Sequence, residues 1–330
     1  MATPNPTSFS IFMTTAQTMI RQAWTTAPTP YDAYTTTQSV DTETLEDGWI
    51  GRMPKMREWL GGRVVHSPGP QTYSVTIQNW ENTYGIDQFL FDDAKFNIYY
   101  GMIQDLAIQT KRQPGFVIRD MLENTGSQTG SRQNGLDGLT FFNTAHQNNI
   151  YRANLGTYSN DFRGGFSGPN GVTVGGAFSG VALGTSAEYM MNYLGEDGEK
   201  LGIVPNMLLI PNTLKAEAEY VLKNQFSGAN AWGTWGASVT QVGASDNIWR
   251  RFGIDYMIDP NLSLARQWYL MDTTHSVKPI RWVQRGGPVY APRVSPTDEN
   301  VWVNHQLLWG VYLRGTSAWS PSWLMAVSGP

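Results

Sequence analysis

The residues to test first for chemistry are the four histidines, His66, His146, His275 and His305, because imidazole serves as general base, proton shuttle and metal ligand. None has a second histidine or a carboxylate at a metal-ligand spacing such as H-E-x-x-H, so each reads as a surface or locally bonded side chain. The adjacent carboxylates Asp92 and Asp93 invite comparison with an acid–base pair, but their place before an apolar helical pattern makes them a helix start. GEDGEK at 195–200 lacks the alternating oxygen ligands and closing glutamate of a calcium loop. The glycine-heavy run RGGFSGPNGVTVGGAFSG contains neither G-x-G-x-x-G nor G-x-x-x-x-G-K-[ST], and no G-x-S-x-G elbow occurs in the chain. There is no cysteine, which removes thiolate catalysis, disulfides and Cys-type metal sites together. One N-x-S sequon, Asn261-Leu262-Ser263, has no meaning without export. The sequence therefore predicts no enzyme, no metal and no cofactor.

Binding is left. RRFGIDY at 250–256 and RWVQRGG at 281–287 interleave arginine with aromatics loosely, as a nucleic-acid groove would, although such pairs are also common at core edges. With 23 basic and 27 acidic residues the formal charge is −4, so no global field draws the chain onto nucleic acid or an anionic membrane. The most concentrated basic segment is GWIGRMPKMREWLGGR at 48–63. There Met53, Met56, Trp59 and Leu60 fall three or four apart, among Arg52, Lys55, Arg57 and Arg63.

The 330 residues, 41% of them hydrophobic, can fill a proper core in one large or two modest domains. Charged residues make up 15% and aromatics 12%, a balance that suits either a surface largely covered by partners or an ordinary Trp-rich globular domain. The N-terminus lacks a basic start followed by an apolar stretch, and no eighteen consecutive residues are apolar, so neither export nor membrane spanning is expected.

Residues 1–47 are Thr-rich, and Phe9, Phe12, Met13, Ala16, Met19 and Ile20 form one weak amphipathic pattern closed by Pro28 and Pro30. This predicts an extended arm with one short helix. Ordering such an arm costs roughly 1–2 kcal/mol of backbone entropy per residue, so it should lie on another surface. In QTYSVTIQNWENTYGI, Tyr73, Val75 and Ile77 alternate with polar residues as in a half-exposed strand. With the turn HSPGPQ before it, the pattern predicts a hairpin that runs out along 52–66 and back along 71–86, and is marginal in isolation.

Helical spacing follows in FDDAKFNIYYGMIQDLAIQTKR and continues past Pro114 to Asn124-Thr125-Gly126, predicting one long helix, kinked or broken near the proline. Residues 126–180 are loop-rich around LDGLTFFNTAH. A helix is expected from Ala182 to Leu194, a buried strand from Met207 to Ile210, and a helix from Asn212 or Thr213, opening a new α/β layer. Strand-like stretches close the chain at RQWYLMD, KPIRWVQ and VNHQLLWGVYLRG.

This order, with IGRMPKMREWLGGR at 50–63, TYSVTIQNWENTYGI at 72–86, LDGLTFFNTAH at 136–146 and PNMLLIPNTLKAEAEYVL at 205–222, resembles the major capsid proteins of tailed bacteriophages, and most closely the Mu-like major head subunit. The resemblance implies an α+β fold of Hong Kong 97 type. Its parts would be an N-terminal arm (1–47), an extended hairpin loop (48–86), a peripheral domain around a spine helix (87–204 with 299–330) and an axial domain (205–298). It implies a subunit that assembles with itself, as pentamers and hexamers, into an icosahedral virion shell in the bacterial cytoplasm, around DNA bound without sequence preference. The arm and hairpin would then lie across neighbours. Arg52, Met53, Lys55, Met56, Arg57, Trp59, Arg63, Tyr73, Val75 and Ile77 become candidate inter-subunit contacts.

Lys55 is the only lysine in the loop and sits near its root, so the lysine–asparagine crosslink of some members is not expected. Too few residues precede the loop for a built-in scaffolding domain. A separate scaffolding protein and a maturation protease are implied, with a portal, while decoration proteins stay open. The competing reading is a Trp-rich carbohydrate-binding protein.

Overall fold

The computed structural model describes residues 6–49, 58, 61, 71–89, 96–123, 134–148, 156–168, 171–195, 198–224, 226–227, 245–295 and 297–330. The major helices are α1 (Pro6–Thr26), α2 (Phe96–Glu123), α3 (Gly180–Met191), α4 (Lys215–Leu222) and α5 (Glu299–Asn304). The major strands are β1 (Thr35–Ser39), β2 (Thr44–Trp49), β3 (Gln71–Thr76), β4 (Gln78–Asp87), β5 (Met207–Ile210), β6 (Asp255–Ile258), β7 (Trp268–Met271), β8 (Ile280–Gln284), β9 (Val289–Arg293), β10 (Gln306–Trp319) and β11 (Met325–Ser328).

Two sheets organise the chain. The smaller has the order β6-β5-β7-β11, with β6 parallel to β5 and the other pairs antiparallel. Its central residues are covered on both faces, which is why MLLI and WYLM are unbroken apolar runs rather than alternating ones. Leu208, Ile210, Trp268 and Leu270 face α3 and α4, whereas Leu209, Tyr269 and Met271 face the C-terminal half of α2 through Ile118, Met121 and Leu122. Ser179, at the end of the glycine run, caps α3 by accepting the Ala182 N–H at 3.1 Å, so ordinary capping uses that helix start.

The larger sheet is built on the fourteen-residue β10. β9 and β8 pair along one edge, β4 lies antiparallel on the other, and β1 adds in parallel outside β8. Leu307, Trp309 and Val311 pack under α1 and α2 with Ala16, Ile20, Ala23, Ile103 and Leu106. The expectation of an arm lacking its own surface is corrected here. Its helix is 21 residues long and lies on the chain's own long helix. Small Ala16 and Ala23 let α1 approach closely, and Lys111 Nζ reaches the Trp24 carbonyl at 2.5 Å.

α2 continues through Pro114. Proline offers no N–H to the Thr110 carbonyl, and the next carbonyl, that of Lys111, accepts the Tyr31 hydroxyl at 2.9 Å. Gly115 makes room for this contact, since a Cβ there would stand 2.9 Å from the Tyr31 ring. The helix start expected at Asp92 and Asp93 lies outside the described residues.

Strand pairing also groups residues differently from the expected domain boundaries. β8 and β9, which the resemblance placed in the axial part, belong to the larger sheet, while β11, which it placed in the peripheral part, completes the smaller one. The period-two stretch at 71–86 is two strands. β3 pairs with β2, and after Ile77 the chain enters the larger sheet as β4.

Candidate assembly interface

The hairpin begins at Thr44, earlier than expected, with β2 as its described outgoing strand; the limb expected over 52–66 lies outside the described residues apart from Glu58 and Gly61. Leu45 lies opposite Val75 and Asp47 opposite Tyr73, and Trp49↔Gln71 is the last described rung before residues 50–70. Leu45, Tyr73, Val75 and Ile77 pack with Val283 and Ala318 of the larger sheet. Glu46, Ser74 and Thr76 are exposed.

A buried guanidinium holds this root. Arg281, on β8 and 9% exposed, donates from Nη1 to the Asp47 carboxylate and to Gln38 Oε1, and from Nη2 to the Trp319 carbonyl at 2.9 Å. Its Cζ lies 6.0 Å from the Tyr73 ring centroid, and the Tyr73 hydroxyl accepts the Trp319 N–H at 3.1 Å. One cation thereby ties β1, β2, β8 and β10 together. A buried cation is tolerated only when paired, and Asp47 is the carboxylate that pairs it. The arginine–aromatic pattern of RWVQRGG is thus, at Arg281, an internal strut rather than a phosphate contact.

The expected contact residues divide into two groups. Tyr73, Val75 and Ile77 are 4%, 0% and 5% exposed inside the single chain, so their side chains serve its own core and have no surface left for a neighbour. The alternation at 72–78 marked an apolar face correctly but carried no information about what covers it. Arg52, Met53, Lys55, Met56, Arg57, Trp59 and Arg63 lie outside the described residues. Sequence reasoning missed Asp47 and Arg281, whose spacing of 234 residues gives no local signal.

The described histidines sit in local structure, and His66 lies outside the described residues. His146 is fully buried, with Nδ1 2.5 Å from Asp137 Oδ2 and Nε2 3.0 Å from the Phe141 carbonyl and 3.1 Å from Asn160 Oδ1. The Asn160 amide reaches the Phe141, Ser322 and Met325 carbonyls, joining LDGLTFFNTAH to the C-terminal turn. Beside this hub Phe141 stacks on Trp319 at 3.8 Å. Among the described residues no group of three His, Asp or Glu side chains could hold a metal, and no helix is long and apolar enough to cross a membrane.

The family model of the Mu-like prophage major head subunit gpT matches residues 9–170, 178–243 and 258–329. The chain belongs to this family. It is 23% identical over 250 residues to the major capsid protein of Escherichia phage Mu, covering 74% of this chain and 77% of that protein. A Mu-like prophage FluMu major head subunit of Haemophilus influenzae is 26% identical over 120 residues, 36% of this chain and 37% of that one. Among solved structures, the procapsid of bacteriophage JBD30 superposes with a TM-score of 0.54 at 19% identity, covering 98% of this chain and 75% of that one. The capsid of a native GTA particle does so with a TM-score of 0.51 at 14% identity, covering 91% and 89%. These structures show the fold, the α+β Hong Kong 97 type expected from the resemblance. The head subunit is a major capsid protein, forming the icosahedral head of a tailed phage or prophage. The carbohydrate-binding reading finds no support in these matches.

Proposed function

We propose that the head subunit assembles into pentamers and hexamers by laying residues 50–70 of its hairpin across an adjacent copy. The observation carrying this reading is the root geometry. β2 and β3 are held to the larger sheet by Arg281 and by the small cluster around Val75, and Leu45, Tyr73, Val75 and Ile77 of that root are already covered by the subunit itself. The Met, Trp and Arg residues beyond the Trp49↔Gln71 rung are then the loop's means of contact, Met53, Met56 and Trp59 by burial and Arg52, Lys55, Arg57 and Arg63 by charge. A separate scaffolding protein, a maturation protease and a portal are the partners this assembly calls for, and the subunit performs no catalysis. Contact with packaged DNA is weak and without sequence preference, in keeping with a net charge of −4.

The test is to compare thermal melts of dissociated subunits with particle yields for Trp59→Ala and Arg57→Glu. Both variants should melt like the wild type and assemble poorly, with the Arg57→Glu defect easing as salt rises. Wild-type yields from both would remove the segment from the lattice, and an unfolded Trp59→Ala subunit would place that residue in the subunit core.

A further inference from the structure

Two surface features of the head subunit have no counterpart among the described residues, and their chemistry is complementary. The first is a groove of about 610 Å³ between α1 and the edge strand β9. Ile20 and Trp24 form one apolar wall, Tyr290 and Trp309 the other, and Arg21 is exposed at the rim. This volume lies within the roughly 300–1,000 Å³ span of sites that enclose an organic group. The Tyr290 hydroxyl is buried and has no hydrogen-bond partner among the described residues. Pro288 and Pro292 stand on the β9 side and offer no N–H, so the edge is unsuited to an added strand. The groove is shaped for side chains.

The second feature is the outer side of α5. Val301 is buried and seats the helix on the core beneath α1, while Trp302 is 81% exposed and Val303 62%. Phe89, 60% exposed, is nearby in the fold, its ring 4.9 Å from that of His305, the C-cap of α5. The helix opens with Asp298 and Glu299, giving the apolar knob an acidic border. An apolar patch led by an almost fully exposed tryptophan marks a contact site, since tryptophan is among the residues that carry most interface energy.

We propose that Trp302 and Val303 of one head subunit seat in the groove between α1 and β9 of the next copy, with Glu299 facing Arg21. This inference rests on the reading that the subunit forms rings within a shell. Patch and groove are different surfaces, so the contact is head-to-tail, and repetition of such a contact closes rings when the rotation permits. Charge selects the second copy as occupant: the acidic border of the knob meets the arginine at the rim.

Absence of native cysteine makes crosslinking a clean test. Val303→Cys combined with Gln17→Cys, the latter on the α1 wall, leaves Trp302, Glu299 and Arg21 intact. Particles of this double variant, mildly oxidised and run on a denaturing gel, should give a ladder of linked multimers that neither single variant gives. Particles that form without the ladder overturn the proposal. A second arm covers a double variant that fails to assemble. Glu299→Arg and Arg21→Glu should each lower particle yield about tenfold while leaving the monomer melt unchanged, and together they should recover it. Wild-type yield from either single swap, or no recovery in the pair, overturns the proposal. Wild-type subunits that form no particles would instead defeat the shell reading beneath it.

Discussion

The two sheets of the head subunit use similar residues in different settings. The smaller sheet is covered on both faces, with Trp268, Tyr269, Leu270 and Met271 exposed by 1% or less. The larger sheet has helices over one face of β10, while on its other face Tyr312 and Val289, paired across β10 and β9, remain 46% and 43% exposed. The first sheet completes its burial within one chain. The second, with the groove and α5 attached to it, retains exposed apolar surface within the single chain. A substitution in the smaller sheet should therefore act on folding, and one around the larger sheet increasingly on assembly.

The largest effect that would sharpen this contrast is alkaline. Burial raises the pKa of Tyr158 and Tyr193, which pack above the smaller sheet, and of Tyr34 and Tyr269, which pack below it. Each is neutral in the folded state at a pH where its unfolded counterpart ionises. Their contribution to stability is full below about pH 10 and is lost as pH rises towards the folded pKa, by up to about 1.4 kcal/mol per unit and per tyrosine. Denaturant melts at pH 9 and pH 11 should separate widely, and coincident melts would show that these rings ionise without unfolding.

Trp268→Ala is next. The side chain is fully buried and its Nε1 donates to the Gly176 carbonyl at 3.1 Å, so its removal should cost roughly 3–5 kcal/mol in the dissociated subunit. A melt within a degree of wild type would break the distinction between the sheets. Asp47→Ala should cost about 3 kcal/mol, because it leaves the Arg281 guanidinium buried without its carboxylate. Hydrogen exchange locates that loss: β2 and β3 should open while β5 and β7 stay protected, and uniform opening would mean that the root and the small sheet unfold as one unit. Trp59→Ala comes last, with almost no change in the subunit's melt and its whole effect in particle yield.

Much of the fold was legible locally. β5 falls on Met207–Ile210 as the apolar run predicted, helix follows at Asn212, and β7 and β8 lie within the stretches that patterned as strands, while α3 starts two residues before the expected Ala182 and β10 runs four residues past the expected 303–315. The helical spacing expected past Pro114 is realised in α2, where Met121 and Leu122 meet the smaller sheet. The candidate site was less legible. Tyr73, Val75 and Ile77 were recognised as one face of a strand, yet that pattern is the same whether a neighbour or the chain's own Val283 and Ala318 covers it.

The sequence by itself determined the apolar periods and the positions of the turn-forming residues between them, because these depend on residues within a turn or two of one another. Its motifs over 50–63, 72–86, 136–146 and 205–222 also sufficed to place it in its family. Tertiary structure alone decided which surfaces meet. It put α1 on α2 where an outstretched arm was expected, and divided one strand pattern between β3 and β4. It also paired Asp47 with Arg281 across 234 residues and left Trp302 in solvent while Trp268 is enclosed. The physical reason is that apolar periodicity states that a face must be buried, whereas the partner that buries it is chosen by chain topology acting over distances no local pattern encodes.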